Sequence, residues 1–168
     1  MKDPLFEKTV IFICEHDKHG AMGLIINKEI NKKDISFSNQ ENDKELIKVL
    51  NENNIFIGGP VLTDRILFLH TIKKIAESIS ISKGVYVSSD IDTLKSIVNT
   101  SNNQYKLFLG HSGWSKGQLE REIENGDWII QKSINSLIFE KKIDHIWDKV
   151  TNSLGIEIND ISNITGQS

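Results

Sequence analysis

Apolar and polar positions along the chain fall into short runs separated by polar corners. Thr9-Val10-Ile11-Phe12-Ile13-Cys14 is a continuous apolar run of the kind a buried strand shows, and Ala21 to Asn27 is a second. The polar corner between them, Glu15 to Gly20, is short enough to predict a hairpin. Residues 28 to 54 are rich in Lys, Asn, Asp and Glu, and Leu46, Ile47, Val49 and Leu50 predict one amphipathic helix near 43 to 51. Ile55-Phe56-Ile57 reads as a strand ending in Gly58-Gly59-Pro60; Arg65 to His70 and Gly84 to Val87 read as two more. Ser89-Asp90 can cap a helix carrying Ile91, Leu94, Ile97 and Val98 on one face. Tyr105 to Leu109 predicts a strand, Gly110-His111-Ser112-Gly113 a tight turn, and Gln118 to Ile123 a short helix. Asp127 to Gln131 reads as strand. A last helix over about Ile143 to Leu154 puts Ile143, Ile146, Trp147, Val150 and Leu154 on one stripe, with Gly155 placed to end it.

Strands and helices mix without strict alternation, and several connections are too short for a helical crossover. The expected class is therefore α+β with a mostly antiparallel sheet. With no internal repeat or Pro/Gly/Ser-rich linker, residues 1-155 read as a single domain and residues 156-168 as a polar C-terminal tail. At 168 residues the chain can bury roughly 70% of its unfolded surface.

Composition narrows the function classes. The chain is 38% hydrophobic and 26% charged, as in ordinary globular proteins. No apolar run approaches the ~18 residues of a membrane span and the start lacks a signal-peptide pattern, so a cytoplasmic protein with no membrane contact is expected. One cysteine, Cys14, excludes an internal disulfide and a Cys-rich zinc site. A net charge of -3 gives no long-range attraction for nucleic acid. Arg65 and Arg121 are the only arginines among 20 basic residues, which leaves few groups for bidentate reading of guanine. A protein partner is thus expected ahead of direct DNA contact.

Several segments carry candidate chemistry. Gly110-His111-Ser112-Gly113-Trp114 is one residue short of the Gly-x-Ser-x-Gly nucleophile elbow, with Trp in the fifth position. The acid and base that could follow, Asp144 and His145, are adjacent on a helix and point different ways, so a structural turn is expected. Glu15, His16, Asp17 and His19 offer carboxylate and imidazole ligands, but a hydrogen-bonded turn is the expectation, with no metal and no cofactor. Cys14 beside His16 is a candidate reactive thiol, although a buried strand cysteine is commoner. Gly58-Gly59-Pro60-Val61 could turn backbone N–H groups towards an anion but lacks the lysine and spacing of a phosphate loop. Trp114, Trp128 and Trp147 suit packing rather than base stacking, since no basic stripe accompanies them. What remains is an arrangement of three glycine-rich polar corners, at 15 to 20, 58 to 65 and 110 to 122. If they converge they form a cleft. Arg65 is expected to reach Glu120 or Glu122 and fix the shape of the third corner.

Read in order, these corners resemble the YqgE/AlgH family of bacterial proteins. The resemblance rests on Asp3-Pro4-Leu5-Phe6, Glu15-His16-Asp17, Gly20-Ala21-Met22-Gly23 through Asn27, Gly58-Gly59-Pro60-Val61, Asp64-Arg65, Leu69-His70, Gly113-Trp114, Gly117-Gln118-Leu119-Glu120, Glu122, Trp128 and Leu154-Gly155. It spans nearly the whole chain. It implies a compact cytosolic α+β domain built on a flattened, barrel-like sheet with flanking helices, and no established catalytic activity. One member is described as a regulator of alginate synthesis, and the family carries a transcriptional-regulator label. Two departures stand out. Members usually have a further strand ahead of the Asp-Pro segment, which suggests an upstream start or an open sheet edge here. They also usually show tyrosine and alanine or serine where this chain has His111 and Ser112, so a catalytic role for that pair gains nothing. Taken with the corners, the resemblance gives a candidate binding cleft of Glu15, His16, Asn27, Gly58, Gly59, Pro60, Asp64, Arg65, His70, Trp114, Gln118 and Glu120. The expected function is a non-catalytic regulator acting through a protein or small-molecule contact. The alternative is an unrecognised enzyme or thiol redox sensor built on Cys14, His16 and Glu120 in the same cleft.

Overall fold

The apolar run at Val10 to Cys14 becomes β1, Ile11–Asp17, and pairs antiparallel with β2, Gly20–Ile25. The strands run into the polar corner instead of stopping at it, so the turn is only Lys18 and His19, closed by the His19 amide donating to Asp17 Oδ1 at 2.7 Å. A shift of register between Ile13 and Glu15 leaves Cys14 as the extra residue of a bulge. In this computed structural model residues 4–35, 43–73, 75 and 77–155 are described; the tail read from Ile156 lies outside them.

Five further strands complete the sheet: β3 (Ile55–Ile57), β4 (Val61–His70), β5 (Ile79–Ser82), β6 (Val85–Ser88) and β7 (Tyr105–Ser115). Their order is β1-β2-β7-β4-β6-β5, with β3 added on β7. β7 is the hub. One of its edges takes β4; the other takes β3 beside Leu107 to Leu109 and then β2 beside Ser112 to Ser115. Every pairing is antiparallel except β3 with β7. The outer strands β1 and β5 come into contact, so the sheet nearly closes as a flattened barrel.

Alternation along β7 divides the core. Leu107 and Leu109 face helices α1 (Lys44–Glu52) and α2 (Ile91–Val98), where they pack with Leu46, Leu50, Leu94 and Ile97. These helices start where the sequence predicts: Asp43 accepts from the Leu46 amide at 3.0 Å and Asp90 from the Thr93 amide at 2.8 Å. Phe108 faces the other side with Phe12, Leu24, Phe56 and Leu69, against Ile138 of α4 (Asn135–Ile138) and Ile146 of α5 (Asp144–Ser153). Lys106 shares that side. It is 6% exposed, donates to the Ile26 carbonyl at 2.7 Å and lies 4.1 Å from the Phe56 ring centroid, and burial brings its pKa down to about 8.

Two sequence-based expectations fail. The predicted turn at Gly110 to Gly113 is strand, and Gly110 serves the close passage of the segment 59–61; the chain turns later, at Lys116-Gly117, with Gly117 at φ 68°. Asp127 to Gln131 is not strand. Trp128 is drawn towards Glu122, Ile129 and Ile130 are exposed, and neither joins a ladder. No helix among the described residues is long and apolar enough to cross a membrane.

Candidate functional site

The end of β7 leads through Gly117 into α3, Gln118–Glu124, and this strand-turn-helix corner gathers the other two. Gly58 and Gly59 cross β7 with backbone against backbone. A Cβ on Gly58 would lie 2.0 Å from the Gly110 carbonyl oxygen, and one on Gly59 2.3 Å from the His111 carbonyl carbon. The β1–β2 corner reaches α3 through His16 Nε2 and Glu120 Oε1, 2.7 Å apart.

Beside α3 these elements leave a cleft of about 230 Å3. Phe6, Pro60, Trp114 and Trp128 line it with apolar surface, and Gln118 and Glu122 with polar groups. The Trp128 ring meets Phe6 at 82° and Trp114 at 78°, with centroids 5.5 and 6.0 Å away. Glu122 ties the aromatic walls together: its Oε2 accepts from Trp114 Nε1 at 2.8 Å and Trp128 Nε1 at 2.7 Å, and its Oε1 from Gln118 Nε2 at 2.9 Å. Gln118 Oε1 in turn accepts from the Ser115 amide and hydroxyl at 3.0 and 3.1 Å. Burial disfavours charge on Glu122, yet the three N–H donors outweigh it and hold the carboxyl below its usual range. It is ionised at neutral pH.

Of the candidate cleft residues, Pro60, Trp114 and Gln118 line this cavity, while Gly58, Gly59, His16 and Glu120 build its surroundings. Others sit elsewhere. His70 pairs with Tyr105, at the opposite end of β7 from Trp114; it is fully buried, its Nε2 is 2.9 Å from Ser78 Oγ, and desolvation lowers its pKa. Asn27 stitches the N-terminal segment down, accepting from the Val10 amide at 2.8 Å and donating to the Lys8 carbonyl at 2.9 Å. Glu15, Asp64 and Arg65 are exposed. Arg65 reaches neither Glu120 nor Glu122, because His16 occupies the first and two indoles and an amide occupy the second. Five cleft residues were outside the candidate cleft set: Phe6, Ser112, Gly113, Glu122 and Trp128. The available signal was the resemblance itself, which contains all of them but Ser112.

The catalytic candidates are tied down by other contacts. Ser112, 1% exposed, donates to the Gly58 carbonyl at 3.2 Å, and its strand neighbour His111 projects to the opposite face. Cys14 is buried, and its thiol is pushed up to about 12, first by desolvation and then by Glu15. It therefore stays protonated at neutral pH. Among the described residues no three His, Cys, Asp or Glu groups come together to hold a metal ion.

His16 lowers the pKa of Glu120 by hydrogen bonding, but both side chains are nearly half exposed, at 45% and 46%. Solvent screens such a pair. Glu120→Gln should therefore leave the midpoint of a urea unfolding curve nearly unchanged; a clear drop in the midpoint would make this contact structural.

The AlgH-like family matches residues 1–159. A UPF0301 protein of Pseudoalteromonas translucida is 34% identical over 171 residues, covering 100% of this chain and 92% of that one. A UPF0301 protein of Shewanella denitrificans is 36% identical over 163 residues, covering 96% and 89%. Among solved structures, that of the AlgH protein from Pseudomonas aeruginosa superposes with a TM-score of 0.73 at 25% identity, covering 100% of this chain and 88% of that one. A protein from Corynebacterium diphtheriae shares the fold at a TM-score of 0.68 and 21% identity, with coverage of 91% and 81%. With family match, relatives and fold in agreement over nearly its whole length, the chain belongs to the YqgE/AlgH family, the AlgH-like proteins also called UPF0301.

Proposed function

We propose that this protein is a non-catalytic, cytosolic binding protein with a regulatory role, and that the cleft beside α3 takes its ligand. One observation carries the reading: the polar groups of the cleft are committed to one another, Glu122 to both indoles and Gln118, and Gln118 to Ser115. What remains open is apolar surface and a fixed charge, which suits recognition more than bond making. Regulation of gene expression enters from the family label. Contact with a small molecule or protein is favoured over duplex DNA by the charge of -3 and the two arginines.

Ligand-observed saturation-transfer NMR with a pool of soluble metabolites tests the cleft. At least one compound should receive saturation from the protein and lose it with Trp128→Ala, provided that variant keeps its dispersed methyl spectrum. No transfer at all would overturn the reading, as would transfer indifferent to Trp128. Labelled duplex at low salt should show no gain in fluorescence anisotropy; binding that weakens steeply with salt would replace this route with direct DNA contact. The redox alternative needs a reactive Cys14. A native-state reaction with a thiol reagent should instead be as slow as unfolding, and a fast one would revive the sensor.

A further inference from the structure

We infer that the cleft beside α3 is a receptor for a methylated ammonium group, the headgroup chemistry shared by choline-like molecules and methylated lysine. This rests on the binding role of the cleft and adds the class of ligand. The starting point is charge. Glu122 lines the cavity as a carboxylate, and among the described residues no lysine, arginine or histidine pairs with it. Partly buried charges ordinarily have an ionic partner. Here neutral N–H dipoles hold the carboxylate in place and leave its net negative charge unbalanced, so a cation is attracted and an anion repelled.

Hydrogen-bond capacity then decides which cation. A carboxylate oxygen has two lone-pair sites. Both on Oε2 are filled by Trp114 and Trp128, and one on Oε1 by Gln118. A guanidinium, which gains its strength from two parallel bonds to a carboxylate, finds only one site free. A primary ammonium needs three acceptors and meets the same shortage. A quaternary or methylated ammonium asks for few or none and is held by charge and by aromatic surface. The walls provide that surface: Phe6, Trp114 and Trp128 line one cavity, and the Trp128 plane stands near 80° to both others, which makes the cleft an aromatic corner. At about 230 Å3 the space is below the roughly 300–1,000 Å3 typical of drug-sized sites, and suits a single headgroup.

The test uses the full chain labelled with 15N, following the indole N–H resonances of Trp114 and Trp128, with Trp147 on α5 as an internal reference outside the cleft. Choline should shift the first two and leave the third. Its neutral isostere, 3,3-dimethylbutan-1-ol, should bind about tenfold more weakly or worse, as should guanidinium and butylamine, and Glu122→Gln should remove the preference for choline over the isostere. A peptide carrying trimethyllysine, run beside the unmethylated peptide, separates a protein side chain from a free small molecule as the source. Equal shifts with choline and its isostere, or no shift from choline at tens of millimolar, would overturn the assignment whatever the variant does. If another metabolite still occupies the cleft by saturation transfer, only the ligand class falls; if nothing does, the binding role falls as well.

Discussion

Gly58→Ala is expected to destabilise the protein by about 3 kcal/mol or more, a large share of the roughly 5–15 kcal/mol that keeps a domain folded. The added Cβ would sit 2.0 Å from the Gly110 carbonyl oxygen, 3.0 Å from its carbon and 2.9 Å from Leu24 Cδ2. Backbone movement cannot relieve this cheaply. The Gly58 amide donates to the Leu109 carbonyl at 2.9 Å, and its own carbonyl accepts from the Ile25 amide at 3.0 Å and from Ser112 Oγ at 3.2 Å. Separating the strands would break bonds on both edges. Gly84→Ala provides the comparison: its φ of 76° penalises a side chain by about 1 kcal/mol, yet nothing lies within 4 Å of the new methyl. Urea midpoints of the two variants measure the difference. Equal losses would show that β7 and the Gly58-Gly59 segment do not pass so closely.

The second large effect is on stability against pH above neutrality, where two buried groups act in opposite directions. Lys106 in the fold releases its proton near pH 8, while an ordinary lysine holds it to 10.5. Between those values the unfolded chain binds more protons, so stability rises with pH by about 1.4 kcal/mol per unit. Cys14 does the reverse: an ordinary thiol ionises at 9.0, the buried one at about 12, and between these the unfolded state has fewer protons and gains. The sum is a rise from pH 8 to 9, a plateau to about 10.5 where the slopes cancel, and a decline beyond. Chemical denaturation across this range measures it. Lys106→Met should remove the rising limb and Cys14→Ala the falling one. A flat wild-type profile would mean that neither group is as dry as its position implies.

What the sequence made legible was whatever depends on neighbours in the chain. Asp90 caps its helix as read, the stripe Leu46, Val49 and Leu50 faces the core, and the β1–β2 hairpin pairs. What failed depends on distant segments. Gly110 and Gly113 look like punctuation locally, but Gly110 is inside a strand because Gly59 and Val61 pass within a few ångströms of it. β5 was missed because its sequence is short and serine-rich and its Ile79 is 69% exposed. Phe6 and Trp128 were left out of the candidate cleft for the same reason: they meet edge to face although most of the chain length separates them. Arg65 shows the limit of reasoning from residue type, since the carboxylates it was expected to clamp already had partners from other elements.

The position of β7 as hub also bears on how the chain is made. β1 with β2, and β5 with β6, are hairpins that can form as they leave the ribosome. Their joining strand begins only at Tyr105, and it supplies the long-range pairing for β2, β3 and β4 together. Until it emerges, the nascent protein presents half-sheets with unpaired edges, the state most open to misassociation. The cleft comes later still, since α3 and Trp128 follow β7 in the chain. The ligand recognition proposed for the cleft would therefore be acquired only after the sheet is complete, and no truncated product ending before residue 128 would possess it.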